Sequence, residues 1–291
     1  MAEKSPMAAV VFDTQKISEA IEKAANALVP KYEFLELPEE IFKIFDYLPE
    51  LFQDDSEKDY IGALSTAMQT SYENGLYQFA FMQYHMLFMT AVYFVLLKIY
   101  WLHEDETKKA LYYLLKDHYS EFFGSGNTKN GDLFFGSFAA ISESEVFKIL
   151  HIKGMDSSLE GELKKLVRER NDYAHANGRL LLTSEEFFLD KITAFNRCID
   201  RVFSLIKDDM MNVYLNLLTD VDFYDPDIRA YMDADQQVQE GLVRAYSLSK
   251  YEINWLRKYK IDQLKSHKDY ESIKELHIAL CRYYKSLHDE D

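Results

Sequence analysis

The run Arg170-Asn171-Asp172-Tyr173-Ala174-His175 gathers residue types suited to handling a phosphate and a proton. An imidazole with an unperturbed pKa of about 6.5 exchanges protons near neutral pH. A planar guanidinium can grip a phosphate through two parallel bonds, which a lysine ammonium cannot reproduce. Asn171 can orient either group or the helix end. Other chemistries are thinly represented. His277 and Cys281 stand four apart without a companion set at zinc spacing, so no metal ligands are assigned. Asp220, Asp222, Asp225 and Asp227 surround Pro226 in a pattern that makes a turn more simply than a Mg²⁺ site. Gly126 and Gly131 have phosphate-loop spacing, but Asp132 and Leu133 replace the required Lys and hydroxyl, so that stretch reads as a surface loop. No Gly-x-Ser-x-Gly nucleophile motif is present.

The elements that position this run are helices. The five prolines, Pro6, Pro30, Pro38, Pro49 and Pro226, leave residues 50–225 without a helix breaker of that kind. A helix is expected from Ser157 or Ser158, as cap, to His175, with Asn177-Gly178 as its stop. On its wheel Leu163, Leu166, Val167, Tyr173 and Ala174 form an apolar stripe with Arg170 in its middle. A guanidinium there needs a carboxylate, a phosphate or an interfacial water. A blander reading ends the stripe near Val167 and leaves the last turn solvated, with His175 at the negative helix pole. The wheel alone leaves both open.

Thr183-Ser184-Glu185-Glu186 is a capping box for a closing helix that runs to Leu217. Upstream, Tyr77–Trp101 is apolar enough to suggest a membrane span, but Gln78, Gln83, His85, Thr90 and Lys98 would be costly in hydrocarbon, so a buried central helix is expected. Thr14–Leu28 reads as an amphipathic helix, Leu37-Pro38-Glu39-Glu40 as a helix start, and Glu104–Ser120 as a further helix.

At the Arg170 run the sequence resembles the HEPN superfamily, helical-bundle ribonucleases whose motif is Arg, then a polar residue that is often Asn, then His after a gap of four to six. The context is similar too: a long apolar helix, intervening helices, the motif helix and a closing helix. The resemblance covers about residues 56–220 and implies an all-α fold with a four-helix-bundle-like core; the helical additions expected at 1–55 and 221–291 are unassigned by it. It implies a metal-independent endoribonuclease and, by family habit, a toxin or antiviral defence effector. The ribose 2′-hydroxyl would attack, giving 2′,3′-cyclic phosphate and 5′-hydroxyl ends. Arg170, Asn171 and His175 take the catalytic roles, with Arg168, whose gap to His175 also satisfies the rule, as a supporting phosphate contact beside Lys164. No cofactor is implied. Two motif helices typically meet across a homodimer interface, which would ease the roughly 140° between Arg170 and His175 on one straight helix. An antitoxin or sensor protein would restrain the enzyme, although Asn177 stands where some HEPN toxins carry a modified Tyr. The alternative is a non-catalytic HEPN-like dimer serving as a binding or regulatory module.

Composition sets limits on partners. With 48% apolar and 15% aromatic residues the chain can bury a large core. A formal charge of −16 argues against general coating of nucleic acid, so contacts with RNA must be local. Basic residues exceed acidic ones by five to three in 161–180 and by eight to four in 244–274. In the latter, Lys258 and Lys260 are candidate RNA contacts, while Tyr251, Trp255 and Tyr259, four apart, favour a helix docked on the core. Two distant cysteines and the lack of a basic and apolar leader lead to the expectation of a cytoplasmic protein without a membrane span.

Overall fold

The computed structural model describes residues 37–124, 126–129, 132–174 and 184–289. Thr14–Leu28, the motif's His175 and the Asn177-Gly178 stop lie outside them. Residues Pro38–Asp291 form one compact unit, so the divisions at 55 and 220 mark stretches of chain within a shared body.

Among the described residues the fold is all-α, with only the isolated bridges Pro49 to Ser249 and Lys129 to Asp132 in extended pairing. The helices are α1 (Glu39–Phe42), α2 (Asp55–Glu73), α3 (Tyr77–Leu102), α4 (Glu104–Leu115), α5 (Tyr119–Gly124), α6 (Glu143–Val146) and α7 (Ser157–Ala174). They continue with α8 (Glu185–Ser204), α9 (Lys207–Thr219), α10 (Val221–Tyr224), α11 (Ala234–Val238), α12 (Lys250–Leu256) and α13 (Tyr270–Asp289). Short 3₁₀ segments include Phe135–Ala140 and Phe147–Lys153, and a π-helical turn occupies Gln239–Arg244.

The apolar run becomes the central helix α3, against which α2, α7 and α8 pack. Although long and apolar enough to cross a membrane, 83% of its most apolar window is buried inside the protein. Phe195 of α8 stands among Phe81, Tyr84, His85 and Phe88 of α3, with ring centroids 4.9–5.7 Å away. The turn between α2 and α3 depends on Gly75 at φ +69°, where a side chain would be strained. It lets Gly75 N–H donate to Tyr72 O and Leu76 N–H to Ser71 O, closing the helix end.

Polar residues within α3 tie it to its neighbours. Lys98, 1% exposed, donates to both oxygens of Glu252 at 2.7 and 2.6 Å, which fastens α3 to α12. Glu252 also accepts from the backbone N–H and hydroxyl of Ser249, its helix cap. Tyr47 contacts Phe203 and Tyr251, so residues preceding α2 and those of α12 share one core.

Four expected boundaries differ, the first at Lys116, whose φ of +49° divides the helix expected over Glu104–Ser120 into α4 and α5. The motif helix is capped by Asp156, whose Oδ1 accepts from Leu159 N–H at 2.7 Å; Arg201 grips the same carboxylate. Ser184 caps α8 through Phe187 N–H, one place after the expected Thr183. The closing helix stops at Ser204 because Leu205 and Ile206 tighten into three-residue bonds with Ile206 fully buried, and Asp208 and Asp209 favour a fresh start at α9.

Candidate functional site

The motif helix α7 rests on α3, α6 and α8. Leu163, Leu166 and Val167 are buried, Tyr173 is half-buried and Ala174 exposed, so full burial of the stripe ends at Val167. Beyond that point two contacts still hold the helix to α3. Tyr173 meets the Phe81 ring edge to face at 4.9 Å, and its carbonyl accepts from Gln78 Nε2 at 2.9 Å. That bond satisfies one of the carbonyls left without a partner at a helix end.

Arg170 meets a carboxylate of its own chain. Its Nη2 pairs with Glu143 Oε2 at the start of α6, and the same oxygen lies 3.0 Å from His85 Nε2 on α3. Because Glu143 is the acceptor, His85 carries its proton on Nε2. Burial lowers the His85 pKa, and Arg170 adds to that effect, so the ring stays neutral although Glu143 pulls the other way. Burial acts to raise Glu143, but bonds from His85 and Arg170 outweigh it and hold the carboxyl below its ordinary value. Arg170 itself remains 25% exposed, while its Nε is buried with no partner among the described residues. The result is a guanidinium anchored to Glu143 on a side chain that keeps a quarter of its surface exposed.

The other predicted residues are placed as follows. Asn171 is half-buried and adjoins Arg170; Arg168 is exposed. Lys164 pairs with Glu160 at 2.6 Å, four residues back on the same helix. Lys258 and Lys260 are exposed after α12, which packs on α9, α13 and residues 43–47, a different neighbourhood from that of α7. Within this segment Tyr251 and Trp255 meet edge to face at 4.9 Å, Lys207 lies over Trp255, and Arg257 covers Tyr284 at 4.0 Å. These aromatics therefore serve packing. The helix ends at Leu256, which leaves Tyr259 outside the four-residue series.

Asp220 and Asp225 use their side chains as turn acceptors for Asp222 and Asp227 N–H. His277 Nδ1 is 2.8 Å from the Tyr214 hydroxyl, and burial lowers the His277 pKa. Among the described residues no group of three or more His, Cys, Asp or Glu is arranged to hold a metal ion. His85 and Glu143 were not anticipated as site residues. The available signal was a histidine inside an apolar helix, which must find a polar partner when buried.

No family model, curated protein or solved structure matches this chain.

Proposed function

We propose that the protein is a metal-independent endoribonuclease with a HEPN-like four-helix-bundle core made from α2, α3, α7 and α8. The observation that carries this reading is the anchored, partly exposed Arg170 near the end of α7, five residues before His175. Arg170 holds the scissile phosphate and stabilises charge on the phosphorane. His175 transfers the proton between the 2′-oxygen and the departing 5′-oxygen, and Asn171 orients the phosphate or the helix end. The 2′-oxygen forms a bond to phosphorus as the bond to the 5′-oxygen breaks, so products carry 2′,3′-cyclic phosphate and 5′-hydroxyl ends. Arg168 assists from the exposed face. RNA is the substrate, the working form is a homodimer, and a toxin or defence role under an antitoxin or sensor partner in the cytoplasm accompanies this assignment.

The test is incubation of purified protein with total RNA in EDTA, with the product ends identified. His175→Ala should lower the rate by roughly two to four orders of magnitude. Arg170→Lys should be severely impaired because a point charge lacks the two-bond grip. Loss of cleavage in EDTA, or 5′-phosphate ends, would overturn the mechanism. The ion pair of Arg170 with Glu143 favours a second reading, a binding or regulatory bundle in which the arginine is structural. Intact RNA with a folded chain would select that reading.

A further inference from the structure

A cavity of about 390 Å³ opens between α2, α3 and the 3₁₀ segment Phe135–Ala140, at the small end of the range for ligand pockets. Its aromatic walls are Tyr60, Tyr93 and Phe135, and Glu143 stands at its polar side. Phe135 is held from behind by Phe94, stacked at 5.0 Å and 13°. Tyr60, 39% exposed, faces the same Phe135 ring at 6.2 Å and stands at the mouth.

This cavity is electrically joined to the motif arginine. Tyr93, raised chiefly by burial, also feels the charges of Glu143 and Arg170. His85 and Arg170 both meet Glu143 at Oε2, and the same residue lines the cavity, so its carboxylate is the acceptor that a donor placed there would meet. Flat aromatic walls bind any base through its face, and a single acceptor at the edge selects bases bearing an amino group. Uracil, with two carbonyls beside its one ring N–H, would set oxygens against the carboxylate.

We propose that this cavity seats a nucleobase carrying an exocyclic amino group among the rings of Tyr60, Tyr93 and Phe135, donating to Glu143, with the attached phosphate directed toward Arg170. The proposal rests on the ribonuclease reading for its substrate and adds the base preference of that site.

The test uses the full chain and 3′-mononucleotides of adenine, cytosine, guanine and uracil, titrated by calorimetry beside inorganic phosphate. At least one amino-bearing nucleotide should bind 10-fold or more tightly than the uridine nucleotide or phosphate. Ala139→Phe, at an exposed lining position, should fill the cavity and weaken that binding at least 10-fold. Tyr60→Ala at the mouth serves the same purpose if Ala139→Phe fails to fold. Equal binding of all four nucleotides and phosphate, no binding at all, or binding unchanged in a folded variant would overturn the proposal. Binding lost in the variant while wild-type protein leaves RNA uncut would uphold the pocket and refute ribonuclease activity. RNA cleaved equally by wild type and a folded, cavity-filled variant would refute the pocket and leave the cleavage reading standing.

Discussion

His85, Glu143 and Arg170 show how one half-buried carboxylate can serve two partners of different kinds. A neutral imidazole and a cation share Oε2, so the guanidinium charge is balanced while the imidazole contributes only a hydrogen bond. This arrangement predicts how stability follows pH. Burial lowers the pKa values of His85 and His277 in the folded chain, so the unfolded chain takes up protons first as the pH falls. Their contribution is complete above about pH 6.5 and declines below it toward their lowered folded values. Glu143, also lowered, adds a loss in the same direction once the pH falls below its unfolded value. Thermal melts should therefore show a falling midpoint between pH 7.5 and 5.5. His85→Gln, which keeps a donor for Glu143 but cannot titrate there, should flatten the decline. A midpoint constant over this range would contradict the neutral assignment.

Helix-scale features were legible where one element contained its own signal. The apolar run of α3, the Ser184 region opening α8 and the absence of strand patterning all lie within short windows of sequence. The helix break at Leu205–Ile206 carries no glycine or proline, and Asp156 caps α7 ahead of two serines that are equally acceptable by type. The pairing of His85 with Glu143 across 58 residues, and of Lys98 with Glu252 across 154, depends on tertiary packing that periodicity does not encode. The need for partners could be read from polar residues in an apolar helix, whereas their identities could not. The pair joining α3 to α12 gives a prediction at this scale. Glu252→Ala leaves Lys98 as an uncompensated buried cation and removes the Ser249 cap, so unfolding in urea should show a loss of about 3–5 kcal/mol. The double substitution Lys98→Met with Glu252→Leu should recover much of that loss. Equal stability of wild type and Glu252→Ala would show that the pair contributes nothing.

At the scale of the whole molecule, the arginine in the apolar stripe gives no reason for a second copy. Arg170 no longer requires a partner chain, since Glu143 satisfies it. Exposed apolar side chains provide a different reason: Leu76, Phe79 and Phe187 are 50–61% exposed where α3 and α8 begin. This is the end of the bundle at which Gln78 holds Tyr173 of α7. Light scattering should give about twice the 34.2 kDa chain mass, and Phe79→Asp with Phe187→Asp should return a monomer. An active wild-type monomer at micromolar concentration would rule the dimer out as the working form. The ion pair within the core also has a consequence in time. On a ribosome adding about 5–20 residues per second, Lys98 emerges on the order of 10 s before Glu252 exists to meet it. During that interval Lys98 has no carboxylate to meet, so burying it in the core must wait for the last part of the chain.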